Sequence, residues 1–283
     1  MQRTKLKAPF GWVGGKTQLA KDIINLIPNE HKTYIEVFGG AGSVLYQKEP
    51  SKLEVLNDIN SELINLHRII RNNPQSLSMY LNDLLISRDI FQDIKTKHLK
   101  GRNNIEKAAL YFYQLTQSFG SKGDNFAMST KSGRKPKNIY RNFKTVSERL
   151  KFVTIENMSF SKLIPLYDKD DSFFYVDPPY VSTESYYKNI GEFGIKEHEE
   201  LFNAFLEAFV KFASSNVYFS GKENMLYQPE YNDVNKLRRL VTAFENSQSW
   251  KSLEPIALED GVTVRIGSDS PIKDLNDVSV ISA

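Results

Sequence analysis

The 283-residue chain contains no cysteine, which excludes disulfides, thiolate zinc sites and cysteine nucleophiles, and leaves no sign of secretion. Long apolar runs are also missing, because none approaches the roughly 18 residues that a membrane span requires. The basic N-terminus is not followed by the apolar stretch of a signal peptide. We therefore expect a soluble, unprocessed, cytoplasmic protein with no membrane partner.

Histidine is scarce, with four residues scattered along the chain. The sequence KEHEE at 196–200 lacks the second histidine that a zinc-binding helix needs, so we expect no metal. A strong charge of one sign is missing too, because a net charge of +3 is too mild to indicate a nucleic-acid partner. The distribution of the charge is therefore more informative than its sum.

The stretch GWVGGKTQ at 11–18 resembles a phosphate-binding loop but has the wrong spacing. A Walker loop needs a glycine five residues before the Gly15-Lys16 pair, and that position is Phe10. No strand pattern precedes the stretch either. Lys16 therefore either binds some other anion or is an ordinary solvated lysine at the start of a helix.

Segments rich in β-branched and aromatic residues predict the strands of an α/β fold. They lie at 33–38, 53–58, 152–157, 173–180 and 216–221, with further strands near the C-terminus. The first two surround a short helix, as in the opening βαβ unit of a parallel sheet. Helical periodicity dominates from residue 60 to about 149.

Ligands of open α/β sheets bind beyond the carboxyl ends of the strands, where this chain has a glycine turn and several acids. The turn FGGAG at 38–42 fails the dinucleotide pattern, because Leu45 occupies the third glycine position. Its Phe38, Gly40 and Gly42, with the flanking Glu36 and with Asp58 after the next strand, suit a nucleoside whose ribose donates to a carboxylate. An ordinary tight turn fits the same pattern.

The sequence DPPY at 177–180 predicts a stiff turn after a buried strand. Two consecutive prolines restrict the backbone and donate no N–H, so the Asp177 carboxylate and the Pro178 carbonyl are left as acceptors for an amino group. Tyr180 supplies a flat face on which a base can stack. A proline-rich strand end with a solvated aspartate is the alternative.

Four motifs in order resemble those of the Dam family of DNA adenine-N6 methyltransferases, in its D12 class and α group. They are WVGGK at 12–16, EVFGGAGS at 36–43, NDIN at 57–60 and DPPY at 177–180. The resemblance implies a Rossmann-like sheet that binds S-adenosylmethionine and is mostly parallel, with an antiparallel C-terminal hairpin. It also implies a catalytic domain of residues 1–59 and 150–283, and an inserted, mainly helical target-recognition domain of residues 60–149.

The resemblance assigns roles to single residues as well. Trp12 and Lys16 would contact the cofactor, Lys16 through the methionine carboxylate. Asp58 would bind the ribose, and Phe160 would lie on the cofactor's adenine. The predicted cofactor-binding residues are Trp12, Lys16, Glu36, Phe38, Gly40, Gly42, Asp58, Phe160 and Asp177. The predicted catalytic residues are Asp177, Pro178 and Tyr180.

Duplex DNA is the partner that the resemblance implies, with the target adenine flipped out of the helix. The predicted DNA-binding residues are Lys122, Lys131, Arg134, Lys135, Lys137 and Arg141, in a region with a single acid. A merely solvated basic loop fits them too. The region lacks the Asn-Gly-Leu/Cys-x-Arg stretch and the Phe-Asn-Val-Pro hairpin of many relatives, so methylation at GATC is not implied.

We expect a monomeric enzyme from a bacterium or phage, with a cognate restriction endonuclease as a candidate partner. Two alternatives within the enzymes are an amino-methyltransferase that acts on cytosine N4 and one that acts on RNA adenine. A third alternative is a nucleic-acid-binding protein with an inactive methyltransferase fold. The intact set of Lys16, Asp58, Asp177 and Tyr180 argues against this third alternative.

Overall fold

The structure, a computed structural model, describes residues 6–127, 139, 141–169, 171–179, 193–194, 196–198, 200–201 and 204, and the backbone of four strands beyond them. The chain divides into two compact units, residues 1–21 with 39–157 and residues 22–38 with 158–283. The predicted recognition domain of residues 60–149 stays a prediction.

Helices and strands alternate along the described residues of this α/β fold, except that five helices follow one another between the second and third strands. The strands are β1 Thr33–Glu36, β2 Leu53–Asn57, β3 Val153–Glu156, β4 Ser172–Val176, β5 Asn216–Phe219, β6 Ile256–Ala257, β7 Val262–Val264 and β8 Val280–Ser282. The helices are α1 Ala20–Asn25, α2 Ser43–Gln47, α3 Ser61–Asn72, α4 Pro74–Asn82, α5 Arg88–Lys95, α6 Asn104–Gln117, α7 Lys144–Leu150 and α8 Phe160–Tyr167.

In the first unit, β2 and β3 pair in parallel, from Glu54 opposite Val153 to Asn57 opposite Glu156. The β2 residues after Leu53 are all buried, as is typical of a parallel strand covered on both faces. Helix α3 packs against α6 and α7 through its apolar face. The Asn60 side chain begins α3 by accepting hydrogen bonds from the backbone N–H groups of Glu62 and Leu63.

In the second unit, β4 lies between β1 and β5, and both pairings are parallel. Every residue of β1 and β4 is buried, which agrees with their aromatic and β-branched composition. Strands β6, β7 and β8 pair in antiparallel fashion with one another. Their predicted role as the antiparallel end of the parallel sheet stays a prediction.

The predicted strands are therefore confirmed, each one to three residues shorter than its sequence pattern. Helix α8 and the two-residue strand β6 are not among the predicted elements. The pairs β1–β4, β2–β3 and β4–β5 are all parallel, so the α/β class with a parallel sheet is confirmed. Within the described part of the chain, no helix is both long and apolar enough to cross a membrane.

A buried ion cluster secures the start of β2. Glu54 accepts from Lys48 Nζ at 2.6 Å and from Arg149 Nη1 at 2.5 Å, and Arg149 Nη2 donates to the Leu45 carbonyl at 2.6 Å. Burial alone would raise the pKa of Glu54, but the hydrogen bonds and charges of Arg149 and Lys48 hold that pKa below its ordinary value. The cluster thus ties β2 to α2 and α7 at the end of the strand opposite Asp58.

Candidate functional site

The glycine turn after β1 is held by backbone hydrogen bonds within the first unit. Gly39 N donates to the Asn57 carbonyl at 2.7 Å, and Gly42 N donates to the Gly39 carbonyl at 2.8 Å. Gly40 and Gly42 have positive φ angles of 51° and 70°, which L side chains rarely adopt. The turn therefore has a defined, hydrogen-bonded conformation, and this conformation depends on glycine.

Trp12 lies directly against this turn. A Cβ added to Gly40 would lie 2.7 Å from Cδ1 and 2.8 Å from Nε1 of the Trp12 indole, far inside van der Waals contact. The indole is half-buried. The structure therefore brings together Trp12 and Gly40, two predicted cofactor residues that are 28 positions apart.

Lys16 is buried, so it is not the solvated lysine that the sequence left open. Its Nζ donates to the Gly14 carbonyl at 3.0 Å, in a turn that is closed by a bond from Gly15 N to the Trp12 carbonyl at 3.1 Å. The next residue, Thr17, has its hydroxyl 3.2 Å from Ser43 Oγ at the start of α2. The WVGGK segment is thereby attached to the glycine turn through α2.

Asp58 is buried at the end of β2 and contacts the same turn. Its Oδ2 accepts from Gly40 N at 3.0 Å, and its Oδ1 accepts from Asn60 N at 2.9 Å. Burial raises the pKa of Asp58, although the backbone N–H groups of Asn60, Gly40 and Ile59 act in the opposite direction. A carboxylate has about four acceptor positions, so these two bonds are compatible with a further donor such as a hydroxyl.

Asn157 fixes the residues that follow β2. Its amide Nδ2 donates to the Asp58 carbonyl at 2.8 Å and to the Ile59 carbonyl at 3.1 Å. Its Oδ1 accepts from Ser61 Oγ at 2.8 Å. Asn157, directly after β3, therefore holds the backbone at Asp58 and Ile59. The Ile59 side chain is 48% exposed.

In the second unit, Glu36 is buried in the last position of β1. The Tyr34 hydroxyl donates to Glu36 Oε1 at 2.9 Å. Because residues two apart on a strand share a face, this pairing follows directly from the strand geometry. The predicted contact of Glu36 with a cofactor stays a prediction.

Three half-buried aromatic rings form a cluster in the second unit. The Phe38 and Phe160 ring centroids are 6.1 Å apart, and the Phe193 ring meets Phe38 edge-on at 5.4 Å and Phe160 at 6.0 Å. His198 packs edge-on against Phe193 at 4.9 Å. The cluster brings the predicted residues Phe38 and Phe160 together and adds Phe193, which the motifs did not indicate.

Asp177 directly follows the fully buried strand β4 and is half-buried. The Tyr175 hydroxyl lies 3.5 Å from Asp177 Oδ2, at the outer limit of a hydrogen bond. Pro178 is buried and Pro179 is half-buried. Tyr180 lies outside the described residues.

Two of the predicted DNA-binding residues are described, and both are exposed. Lys122 follows a turn whose Gly120 and Ser121 have positive φ angles of 62° and 58°. The Arg141 guanidinium lies 5.9 Å from the centroid of the Phe112 ring. The remaining four, Lys131, Arg134, Lys135 and Lys137, lie outside the described residues.

The turn before Lys122 is closely hydrogen-bonded and presents an aromatic side chain. Gly123 N donates to Ser118 Oγ at 2.8 Å, and Phe119 N donates to the Asn125 carbonyl at 2.8 Å. Phe119 is nevertheless 64% exposed.

Sequence reasoning missed His67, which contacts the glycine turn from α3. Its Nε2 lies 2.8 Å from the Gly40 carbonyl oxygen, and the side chain is fully buried. The available signal was its position, because a histidine among Leu63, Ile64 and Ile70 on the apolar face of a helix must be buried. No local pattern reveals a partner 27 residues away.

Among the described residues, no group of three or more histidine, aspartate or glutamate side chains could hold a metal ion. The expectation that the protein needs no metal stays a prediction.

Each unit has parallel strands, and candidate site residues lie at their ends: a glycine turn and a buried acid in the first unit, and an Asp-Pro-Pro turn after β4 in the second. These features define an α/β protein of the kind that binds ligands at its strand ends. Residues 12–252 match the D12 class N6 adenine-specific DNA methyltransferase family. The chain belongs to this family. The protein is therefore an enzyme that methylates adenine N6 at specific sites in DNA.

Curated relatives agree with this assignment. The chain is 31% identical over 197 residues to the type II methyltransferase M1.LlaDCHI of Lactococcus lactis subsp. cremoris, covering 64% of this chain and 69% of that protein. It is 30% identical over 203 residues to M.MjaIII of Methanocaldococcus jannaschii, covering 62% and 70%. It is 27% identical over 212 residues to M.CviBI of Paramecium bursaria Chlorella virus NC1A, covering 71% and 78%.

A shorter match has a different name. The heat-inducible transcription repressor HrcA of Acholeplasma laidlawii is 40% identical over 83 residues, which is 29% of this chain and 23% of the repressor. So small a share of the repressor supports no statement about the function of this chain.

Proposed function

We propose that this protein transfers a methyl group from S-adenosylmethionine to N6 of an adenine flipped out of duplex DNA. The observation that carries the proposal is the position of Asp177. Its carboxylate follows a completely buried parallel strand, is itself half-buried, and precedes two prolines that donate no N–H. An amino group at this strand end would meet the Asp177 carboxylate and the Pro178 carbonyl as acceptors.

The glycine turn fits a nucleoside-containing methyl donor. The missing Cβ of Gly40 lets the Trp12 indole lie against the backbone, and the positive φ of Gly42 leads the chain into α2. Asp58 is already oriented by two backbone donors and can accept from ribose hydroxyls with its other lone pairs. The buried ammonium of Lys16 suits a carboxylate such as that of the methionine moiety.

The aromatic cluster supports a site for the donor's adenine. Phe38 and Phe160 are half-buried, and Phe193 packs edge-on against both rings. Purines stack on such faces without needing a particular hydrogen-bond pattern. Together with Glu36 at the end of β1, these rings complete the set of residues that we assign to the donor.

The donor supplies an electrophilic methyl group on a sulfonium, and the side chains that we assign to the adenine prepare the nucleophile. The adenine amine is a poor nucleophile, because its lone pair is delocalised into the ring. Acceptance of its two hydrogens by Asp177 and by the Pro178 carbonyl would draw the nitrogen toward tetrahedral geometry. Tyr180 would stack on the flipped base. Asp177 need not be a strong base, because the amine loses its proton readily once it is methylated.

The DNA-binding role rests on the basic residues between 122 and 141. Lys122 and Arg141 are exposed, and Phe119 stands beside Lys122 on a closely hydrogen-bonded turn. We assign phosphate contacts to these two cations and to Lys131, Arg134, Lys135 and Lys137. Residues 60–149 would then form the recognition domain, and β6 to β8 the antiparallel end of the catalytic sheet.

The relatives named as type II methyltransferases support a place in a restriction-modification system, with a cognate endonuclease as a partner. We further propose that the protein acts as a monomer in the cytoplasm of a bacterium or a phage-infected cell, and that it needs no metal.

A calorimetric titration with S-adenosylhomocysteine, the product of the donor, tests the cofactor assignment. In buffer containing a metal chelator, the ligand should bind and should raise the melting temperature. Sequencing of N6-methyladenine in DNA from cells that express the protein should then reveal one methylated sequence. Binding that needs an added divalent ion, or DNA without methylated adenine, would contradict the proposal.

A further inference from the structure

Gly40 is held from both sides by side chains distant in the sequence. Its N–H donates to Asp58 Oδ2 at 3.0 Å, and its carbonyl oxygen lies 2.8 Å from His67 Nε2. A carbonyl oxygen can only accept, so Nε2 must carry the proton of this hydrogen bond. The conformation of the turn at Gly40 is therefore set by two specific partners, Asp58 and His67.

A histidine at position 67 destabilises the folded state relative to an apolar residue. Its side chain is fully buried in α3, with the Phe10 ring centroid 5.4 Å away, and burial lowers its pKa to about 4. Nδ1 has no hydrogen-bond partner among the described residues. A buried polar atom without a partner destabilises the folded state, so an apolar residue would pack better at this position.

We propose that His67 is a positioning residue of the cofactor site, whose Nε2–H holds the Gly40 carbonyl so that the turn keeps its contacts with Trp12 and Asp58. This inference rests on the proposed function, because it assumes that the Gly40 turn binds the methyl donor. Glycine loses more conformational freedom on ordering than any other residue. A turn that loses the His67 tether would therefore have to be ordered by the ligand, at a loss of affinity.

The same contact links the glycine turn to the helices of the first unit. Phe10 lies between His67 and Phe112 of α6, with its ring centroid 6.4 Å from that of Phe112 in an edge-on arrangement. Helix α6 leads into the turn that presents Phe119 and Lys122. His67 thus connects α3, one of the proposed recognition helices, with the glycine turn.

The test compares four full-length variants by titration with S-adenosylhomocysteine. His67→Leu removes the donor and keeps an apolar side chain, whereas His67→Gln places an amide N–H near the position of Nε2. His67→Asn is too short to do so. Ile70→Ala is the matched control, because Ile70 is a fully buried residue of the same helix.

We expect His67→Leu to weaken binding on the order of tenfold, and His67→Gln to stay within about threefold of the wild type. Ile70→Ala should lower the melting temperature without a comparable loss of affinity. Equal affinities of the wild type and His67→Leu would overturn the proposal. If His67→Leu fails to fold, the comparison of Gln and Asn decides, because equal losses in both would overturn it.

Two measurements on the free protein separate this inference from the proposed function. Nitrogen NMR of the imidazole rings should find His67 neutral, with the proton on Nε2, at about pH 6 to 8. In a Trp250→Phe background, the emission of Trp12 should shift when His67 is replaced by leucine. If the wild type does not bind S-adenosylhomocysteine, the cofactor assignment fails, and the emission of Trp12 alone decides whether His67 positions the turn. An unshifted emission of Trp12 would contradict the positioning role of His67.

Discussion

Substitution of Gly40 by alanine tests the shape of the glycine turn against a matched control elsewhere in the same unit. Gly40 and Gly120 have similar positive φ angles, 51° and 62°. An L residue in this region costs about 1 to 2 kcal/mol. Among the described residues, a Cβ at Gly120 would meet only Lys122 side-chain atoms at 3.8 and 3.9 Å, which is ordinary contact. The Gly120→Ala variant therefore isolates the cost of the backbone conformation.

A Cβ at Gly40 would in addition lie 2.7 and 2.8 Å from atoms of the Trp12 indole, a rigid ring that cannot move aside as a flexible chain does. Overpacking of this kind costs roughly 1 to 3 kcal/mol more. At about 2 to 4 °C per kcal/mol, Gly120→Ala should lower the melting temperature by a few degrees, and Gly40→Ala by about twice as much.

The decisive readout is ligand affinity. Gly40→Ala should weaken S-adenosylhomocysteine binding on the order of tenfold or more, because it displaces Trp12 and disturbs the bond to Asp58. Gly120→Ala should leave this affinity unchanged. The reasoning is refuted if both variants lose equal stability and both bind the ligand as the wild type does.

Three further predictions address the acid, the charges and the pH dependence. Asp58→Ala should weaken cofactor affinity more than DNA affinity, because it removes the proposed ribose acceptor and the bond to Gly40 but no proposed phosphate contact; equal losses in the two titrations would contradict this. Neutralising three basic residues should reduce the log-log salt slope of DNA binding by roughly 0.9 for each phosphate that is no longer neutralised, and an unchanged slope would place the DNA surface elsewhere. These three are Arg134, Lys135 and Lys137. The lowered pKa of Glu54 means that its contribution to the free energy of unfolding is complete above the ordinary pKa of 4.5 and is lost as the pH falls below it. The free energy of unfolding measured with urea should therefore fall more steeply in this acidic range for the wild type than for Glu54→Gln. Parallel pH profiles of the two proteins would contradict this.

The strands could be predicted because their signal is local. Segments such as TYIE and SFFYV consist mostly of β-branched and aromatic residues, and the structure buries every residue of both. The turn at FGGAG is also a local feature, and the positive φ angles of Gly40 and Gly42 agree with it. Because these features depend on neighbouring residues in the sequence, they can be predicted from one sequence alone.

Contacts between distant residues could not be predicted in the same way. Nothing near Lys16 shows that its side chain is buried, and nothing near Glu54 indicates that Arg149, 95 residues later, shares its ion cluster. The tether from His67 to Gly40 depends on how α3 docks on the turn. Helix α8 was missed because it is short and contains Pro165, which a periodicity argument treats as a helix end.

The central claim is that Asp177 belongs to the reacting site and not to the folding core. Removal of one preorganised electrostatic partner typically costs on the order of a hundred- to a thousandfold in rate. The measurement is single-turnover methyl transfer to an adenine-containing duplex by Asp177→Ala, with cofactor affinity, DNA affinity and melting temperature determined on the same sample.

Asp171→Ala is the matched control, because Asp171 precedes the same strand β4 and pairs with Lys32 at 3.0 Å on the surface. We predict that Asp177→Ala folds and binds DNA but loses at least about a hundredfold in transfer rate, whereas Asp171→Ala transfers methyl groups at nearly the wild-type rate. Transfer by Asp177→Ala within about tenfold of the wild type, with cofactor bound, would contradict the account.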